Sequence, residues 1–408
     1  MSTKRFAPLA LCATLALFGS PAFAEITVDI TAPEIVFSGN TAFPGVDAAL
    51  NTLFTFTAGS QFQTELANYE TEAETQLAPY GSQDSFAQGF ADANVMSSQA
   101  ATFNGFQGYK TFGVMLGYMV GIQLPSSDPN AISKIADTIA DDPDVYLGIA
   151  NALSVNVGFN MGKVLGLVNN DLGDKTKRFY LNVHGGYINQ SLDQSDATVD
   201  MKTTTFGIGV NYQLIQPKGV VAGLFKWRGV SVGSGFTYQR NSFSTTSTLD
   251  PVTNPFSMDT LVGGQPVVVN GTFIATPKID VGVDMRTFSI PLEAVTSFQF
   301  LWVFNVNAGV GADLVFGKSD ITATTSSELD VQNISTTVAG VSENLNYEVT
   351  QTGAVAVDAS TKDIKPTLAR ARVMAGIGAN MGPIKLDVPF YYYFSDGYAV
   401  GMSVGIVW

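Results

Sequence analysis

Of the 408 residues, 14% are charged and 46% hydrophobic; the net charge is −14, and there are 40 glycines, one histidine and one cysteine. So few charges, against about 25% in an ordinary soluble domain, point away from a conventional soluble globule. The acidic balance argues against nucleic acid as a partner, and one cysteine with one histidine leaves no disulfide framework and no zinc site.

In chain order, Lys4 and Arg5 precede an apolar run from Leu9 to Phe18 and then Ser20-Pro-Ala-Phe-Ala24. This reads as a secretory signal peptide over residues 1–24, cut after Ala24. As a membrane anchor the run fails, since crossing about 30 Å of hydrocarbon takes about 20 residues. Cys12 follows Leu11, where a lipidated cysteine requires a small residue, so it is expected to leave with the leader. The chain from Glu25 then carries 19 basic and 35 acidic residues, a net charge of −16.

Residues 25–105 stand apart as a partly helical segment. Phe62, Leu66, Tyr69, Ala73 and Leu77 recur at helical steps beside Glu65, Glu70, Glu72 and Glu74, and Pro79 closes the run. Two placements compete for this segment: a plug inside a barrel, or a periplasmic cap.

From residue 106 the pattern changes to period two. In the stretch from Thr203, the residues Thr204, Phe206, Ile208, Val210, Tyr212 and Leu214 alternate with Gly207, Gly209, Asn211 and Gln213. Around Phe298 an apolar row through Phe300, Trp302, Phe304, Val306, Val310, Leu314 and Phe316 opposes Gln299, Asn305, Asn307 and Asp313. Between Leu368 and Met381 a row of Ala, Val and Ile opposes Arg370 and Arg372, and Asp280, Asp284 and Arg286 oppose Ile279, Val281, Val283 and Met285. A soluble sandwich can show such alternation, but high hydropathy without a spanning helix is what a transmembrane β-barrel needs, because each strand shows lipid only every second side chain.

The expected fold is therefore an all-β, antiparallel transmembrane barrel over residues 106–408. Ten strands are expected near 107–123, 148–163, 178–192, 203–214, 225–241, 275–290, 296–317, 367–381, 384–394 and 397–408. Connections alternate in length, as long outer loops and short periplasmic turns do. The insert 318–366 either extends its flanking strands or forms another hairpin, so the expected range is 10–14 strands. The lumen-lining candidates are Asp280, Asp284, Arg286, Asn305, Asn307, Asp313, Arg370, Arg372 and His184. On the lipid side no charge is expected at the midplane, where Arg or Lys costs about 2 to 4 kcal/mol.

The chain closes on Gly-Tyr-Ala-Val-Gly-Met-Ser-Val-Gly-Ile-Val-Trp, with Tyr398, Val400, Met402, Val404, Ile406 and Trp408 in one row. This resembles the terminal strand of Gram-negative outer-membrane β-barrel proteins, with Trp where that family usually ends in Phe. The resemblance implies that these six residues close the barrel against its first strand and are read by the barrel-insertion machinery, in an outer membrane whose lipid is a further partner. The plan of a barrel preceded by an extra segment loosely resembles the fatty-acid-transporter barrels with their N-terminal hatch, although no Asn-Pro-Ala hatch motif is present. It is more faintly similar to spirochaetal surface barrels described as adhesins.

Catalytic chemistry has little support. Gly229-Val-Ser-Val-Gly233 and Gly401-Met-Ser-Val-Gly405 spell a nucleophile elbow, but both lie in alternating strands without the strand-turn-helix context. His184 falls on an inner row with Tyr180 and Asn182, away from the lipid-facing rim that a lipase-like barrel would use. Asp137, Asp141, Asp142 and Asp144 read as a solvated acidic loop rather than a Ca²⁺ site. No cofactor, no metal and no enzymatic activity are expected. The leading expectation is a barrel admitting a small hydrophobic or amphipathic solute, with the N-terminal segment as plug and Phe86, Phe90, Phe103 and Phe106 giving it apolar surface. The alternative is a surface adhesin acting through the long Ser/Thr-rich loops 243–272 and 318–365.

Overall fold

The computed structural model describes residues 25–40, 45–54, 84–100, 110–126, 146–194, 197–221, 224–248, 251–262, 265–338 and 341–408. The chain opens with β1 (Glu25–Thr31), β2 (Glu34–Phe37), α1 (Val46–Phe54) and α2 (Asp84–Ser97). There follow β3 (Phe112–Gln123), β4 (Gly148–Asn160), short helices α3 (Met161–Gly166) and α4 (Asn170–Thr176), β5 (Phe179–Gln194), β6 (Ala197–Ile215), β7 (Lys218–Val221) and β8 (Phe225–Thr248). The remainder is β9 (Val252–Val262), β10 (Gln265–Phe300), β11 (Phe304–Val338), β12 (Val341–Asn344), β13 (Tyr347–Gln351), β14 (Gly353–Ile364), β15 (Ala369–Met381), β16 (Ile384–Tyr393) and β17 (Gly397–Val407).

Ten of these strands close on themselves in the order β3-β4-β5-β6-β8-β10-β11-β15-β16-β17, every neighbour antiparallel. The ring is sealed by β17 on β3, from Gly397↔Gln123 to Val407↔Gly113. Trp408 then donates its N–H to the Phe112 carbonyl at 2.8 Å and stacks on the Phe112 ring at 4.5 Å. The protein is thus a ten-stranded antiparallel transmembrane β-barrel. No helix among the described residues is long and apolar enough to cross a membrane.

One face of each strand sets the lipid contact. On β11 the outward row runs Phe304, Val306, Val310, Leu314 and Phe316, all exposed, and then changes to Lys318 and Asp320. The same change falls between Tyr238 and Arg240 on β8 and between Phe288 and Arg286 on β10. Register places these boundaries side by side: Tyr238↔Phe288↔Phe316 form the last apolar line and Arg240↔Arg286↔Lys318 the first charged one. From Phe304 to Phe316 the strand covers about 40 Å, or about 30 Å once tilted by about 40°. That matches the hydrocarbon thickness, so the charged line marks one membrane surface.

The two longest links between ring strands, 124–147 and 339–368, lie at the end opposite Trp408, which is therefore the outer one. There β10 and β11 rise well past the ring as one continuous hairpin, from Phe300↔Phe304 up to Val267↔Val338. β9 joins the free edge of β10, and β14 and β12 join β11. β1 adds to β14, and β2 pairs with β13 in a second small sheet. α1 places Val46, Leu50 and Phe54 on one face at four-residue steps and buries them against Val269, Val331 and Leu345. Asn51 binds both backbone groups of Phe37, accepting from its N–H at 2.7 Å and donating to its carbonyl at 3.0 Å, as a further strand would.

Two expectations are corrected here. The hairpin turn lies at 301–303, not near 291–295, so 275–290 and the start of 296–317 are one strand. A three-residue turn keeps even-numbered residues outward on both arms, so the alternation runs through it unbroken; Leu301 and Trp302, at φ 49° and 60°, make the reversal. Pro291 sits in mid-strand because it lacks only an N–H, and the bridges to β8 skip from Ser289↔Thr237 to Leu292↔Ser234 around it. The segment 243–272, expected as a loop, is largely strand, and the insert 318–366 both extends β11 and adds β12, β13 and β14. The helix expected over Phe62–Leu77 and the aspartates 137–144 lie outside the described residues.

Candidate functional site

The lumen is occupied by α2. This helix touches β17 and β8, which lie five strands apart either way round the ring, so it stands inside the barrel. Its sequence, DSFAQGFADANVMS, carries small residues on several faces, and Ala87, Ala91 and Ala93 are fully buried. A ten-stranded barrel is narrow, and a helix with ordinary side chains is about 10–12 Å wide. Glycines supply the missing room. A Cβ on Gly121 of β3 would lie 2.4 Å from the Ala93 carbonyl, and one on Gly148 of β4 would lie 2.2 Å from the backbone of Gly89.

Phe86, Ala87 and Ala93 pack at the outer mouth against Ala150, Val283, Met285 and Ile321, with Phe90 and Leu147 beside them. Beside Ala93 on the helix, Asp92 is fully buried and holds four donors. The Arg370 Nη1 lies 2.9 Å from its Oδ2, the Thr367 N–H and hydroxyl each donate at 2.8 Å, and the Tyr146 hydroxyl donates to Oδ2. Arg370 is itself held by Gln123 Oε1 at 2.6 Å, by Ser395, and by the face of Tyr393 at 5.4 Å. Asn94, on the next part of the helix, is saturated: its Nδ2 donates to Thr287 Oγ1 at 2.8 Å and to the Gln239 carbonyl at 3.3 Å, and its Oδ1 accepts from Gln239 at 2.9 Å and Asn241 at 2.8 Å. A buried helix whose polar side chains are this fully paired is positioned rather than loosely packed.

Below lies a second charged layer. Arg372, fully buried, reaches Asp313 Oδ2 and the Tyr393 hydroxyl at 3.1 Å each and Glu293 Oε2 at 3.4 Å, with its guanidinium 5.3 Å from the Tyr391 ring. A cavity of ≈ 40 Å³ sits beside it, lined by Gln99, Asn182, His184, Asn211, Thr237 and Glu293. His184 lies across Gly207, where a Cβ would be 2.3 Å from the ring, with Thr237 Oγ1 at 3.4 Å from Nε2 and Nδ1 unpartnered. Nearest the inner end, Lys385 and Asp387 of β16 form a buried pair at 2.8 Å, and Asn380 donates to Asn305 at 3.3 Å.

Thus Asn305, Asn307, Asp313, Arg370, Arg372 and His184 lie on the inner face and are buried, and the structure gathers Arg370, Arg372 and Asp313 beside α2. Asp280, Asp284 and Arg286 do not line the lumen. They stand on the outward row of β10 above the membrane line, where Asp284 takes Arg240 at 2.5 Å and Arg286 at 2.7 Å. The physical reason is an inversion of surroundings rather than a slip of register: above the lipid the outside is water and the inside is the apolar helix, so Val283 and Met285 turn in. Burial opposes the charge on Asp284, but hydrogen bonds from Arg240 and Arg286 outweigh it and hold the carboxyl below its ordinary range. Asp92, Glu293, Tyr391, Tyr393, Lys385 and Asp387 were not singled out from the sequence. For the last four the signal was present, since β16 alternates Lys385, Asp387, Tyr391 and Tyr393 in one row.

One seam of the ring is incomplete. β3 and β4 share twelve register pairs and β5 and β6 sixteen, but β4 and β5 share six, from Val155↔Gly185 to Asn160↔Tyr180. Above it, the Asn151 carbonyl accepts from Asn241 at 2.9 Å and Gln239 at 3.4 Å, side chains of β8 rather than a neighbouring strand. The outer half of β4 therefore stays on β3 but meets side chains of β8 where pairing with β5 would continue.

The family profile described as Lsa36-like matches residues 23–408. No curated protein matches the chain. Among solved structures, the translocator domain of the autotransporter NalP from Neisseria meningitidis is 9% identical, covering 85% of this chain and 98% of that chain at a TM-score of 0.27. The CymD monoaromatic hydrocarbon channel is 9% identical over 78% and 94%, at 0.23. A Pseudomonas aeruginosa FadL homologue is 9% identical over 79% and 97%, at 0.22. At such scores the likeness carries no argument, and the barrel rests on its own closed ring of strands.

Proposed function

Because the chain belongs to the Lsa36-like family and closes as a barrel around its own helix, we propose that it is an outer-membrane channel for a small hydrophobic or amphipathic solute, with α2 as the plug. The observation that carries this reading is the buried Asp92–Arg370 ion pair, the charged one among the polar ties that hold the helix to the barrel wall. A lumen meant only to be filled needs no such tie, since wall side chains suffice in narrow barrels. The apolar mouth formed by Val283, Met285 and Ile321 supports a greasy solute, because displacing Phe86 uncovers a hydrophobic surface above a polar shaft. The seam between β4 and β5 supports a sideways path to lipid on the same reasoning. No catalytic step and no cofactor enter this reading.

The test is planar-bilayer conductance of the full chain and of a variant lacking residues 84–100, both checked for the heat-dependent gel migration of a folded barrel. The full chain is expected to be nearly silent and the deletion to conduct. A folded deletion as silent as the parent refutes the plug.

A second reading is a surface adhesin, favoured by the outer layer: a contact protein needs a folded platform beyond the membrane, and β9, β12, β14 and β1 build one on the long hairpin. Trimming 243–272 and 318–365 and measuring host-matrix binding tests it; unchanged binding removes it.

A further inference from the structure

The two ends of the N-terminal segment lie on opposite sides of the membrane. β1 is hydrogen bonded along β14 from Glu25↔Ser360 to Thr31↔Ala354, and α1 is buried against Val269 and Val331, all in the layer beyond the outer charged line. α2 then descends. Phe86 packs at the outer mouth beside Met285 and Ile321, while Met96 and Ala100 pack deeper, against Val295 and Met374. At the far end, the N–H groups of Lys110 and Thr111 bond the Trp408 carbonyl on the inner rim. Ala100 is thus packed within the ring, and Lys110, the next described residue, is bonded at its inner rim.

We propose that the barrel is the conduit for its own N-terminal segment: residues 25–54 reach the cell surface through the lumen, and α2 is the part of that passage left behind. The segment 25–105 is then neither only a plug nor a periplasmic cap. Its first part completes the outer layer, where Phe37, Leu50 and Phe54 supply one side of an apolar core whose other side comes from Val269, Val331 and Leu345. That core cannot form until the segment has crossed. Its burial holds the crossed segment outside, and the paired Asp92 and Asn94 fix where the passage stops.

The test uses the full chain with Cys12→Ala, which removes its one cysteine, expressed in a diderm bacterium. Ser38→Cys and Asp174→Cys are introduced singly; both sites are exposed, the first in the outer layer and the second on α4 at the inner end. A membrane-impermeant maleimide on intact cells is expected to modify Ser38→Cys and to spare Asp174→Cys until the outer membrane is permeabilised. Protection of Ser38→Cys on intact cells, or the reverse pattern, overturns the proposal. The route is tested by filling the lumen with Gly121→Trp or Gly148→Trp in the Ser38→Cys background. Barrels that retain heat-dependent migration are expected to lose at least tenfold of the surface labelling. Undiminished labelling in those folded barrels refutes passage through the ring. Solute conductance plays no part in either readout, so this proposal and the channel reading fail separately.

Discussion

Replacing Asp92 by Ala removes the one carboxylate on α2 that meets Arg370 and leaves a guanidinium with no exposed surface and no anion on its Nη1 side. Gln123, Ser395, Tyr146 and the Tyr393 ring remain as its neighbours and are neutral, and Asp313, opposite it on β11, is already paired with Arg372. Breaking a buried pair by deleting one partner costs about 3 to 5 kcal/mol, because the surviving charge stays desolvated. If that loss falls on the docked state of the helix, the ratio of undocked to docked barrels rises by roughly a hundredfold to several thousandfold. In a planar bilayer this is a change from rare to frequent openings, without change in the conductance of each opening. The double variant Asp92→Ala/Arg370→Ala removes both charges and is expected to fall well below the single variant in open probability, a coupling that a double-mutant cycle reads directly. Equal open probability in parent and Asp92→Ala, with both folded, would show that the pair does not govern the helix.

Three further outcomes follow from the same geometry. Gly121→Leu drives a side chain into the Ala93 carbonyl, so it is expected to release α2 from a still-closed barrel, read as raised conductance with unchanged heat-dependent migration. Arg372→Met leaves Asp313 and Glu293 without their cation and is expected to cost the barrel about 3 to 5 kcal/mol, seen as a lower urea midpoint; Arg372→Met/Asp313→Leu/Glu293→Gln should recover much of it. Asp284 is held below its ordinary pKa, so its stabilising contribution is present above the unfolded value of about 3.9 and is lost as pH falls through the lower folded value. The pair is partly exposed, so the effect stays under about 1 kcal/mol: the thermal midpoints of parent and Asp284→Asn should differ slightly near neutral pH and converge once the pH has fallen below the lowered folded value.

The barrel was legible because lipid on one side and a polar interior on the other impose a two-residue period that survives over each spanning strand. Phe304 to Phe316 and Tyr398 to Trp408 carry it in full. The same rule misled above the lipid, where the row of Asp280, Asp284 and Arg286 keeps its outward parity and only the medium around it changes. The helix inside the lumen left no comparable trace. A helix covered on every side has no apolar stripe, and its Ala and Gly are chosen for width rather than for hydrophobicity. Asp92 therefore looked like any acidic residue, although its partner Arg370 was visible as a charge on an inner row. The strand β16 was placed closely, yet its buried Lys385 and Asp387 passed unnoticed because two charges at alternate positions also describe a solvated edge.

The seal between β17 and β3 sets an order of events. The ring closes with the last strand in the chain, and Glu25 pairs with Ser360 across most of its length. Contacts so distant in sequence form slowly. During that delay the apolar faces of the strands already made stay uncovered. Assembly time, more than final stability, is where this architecture is exposed.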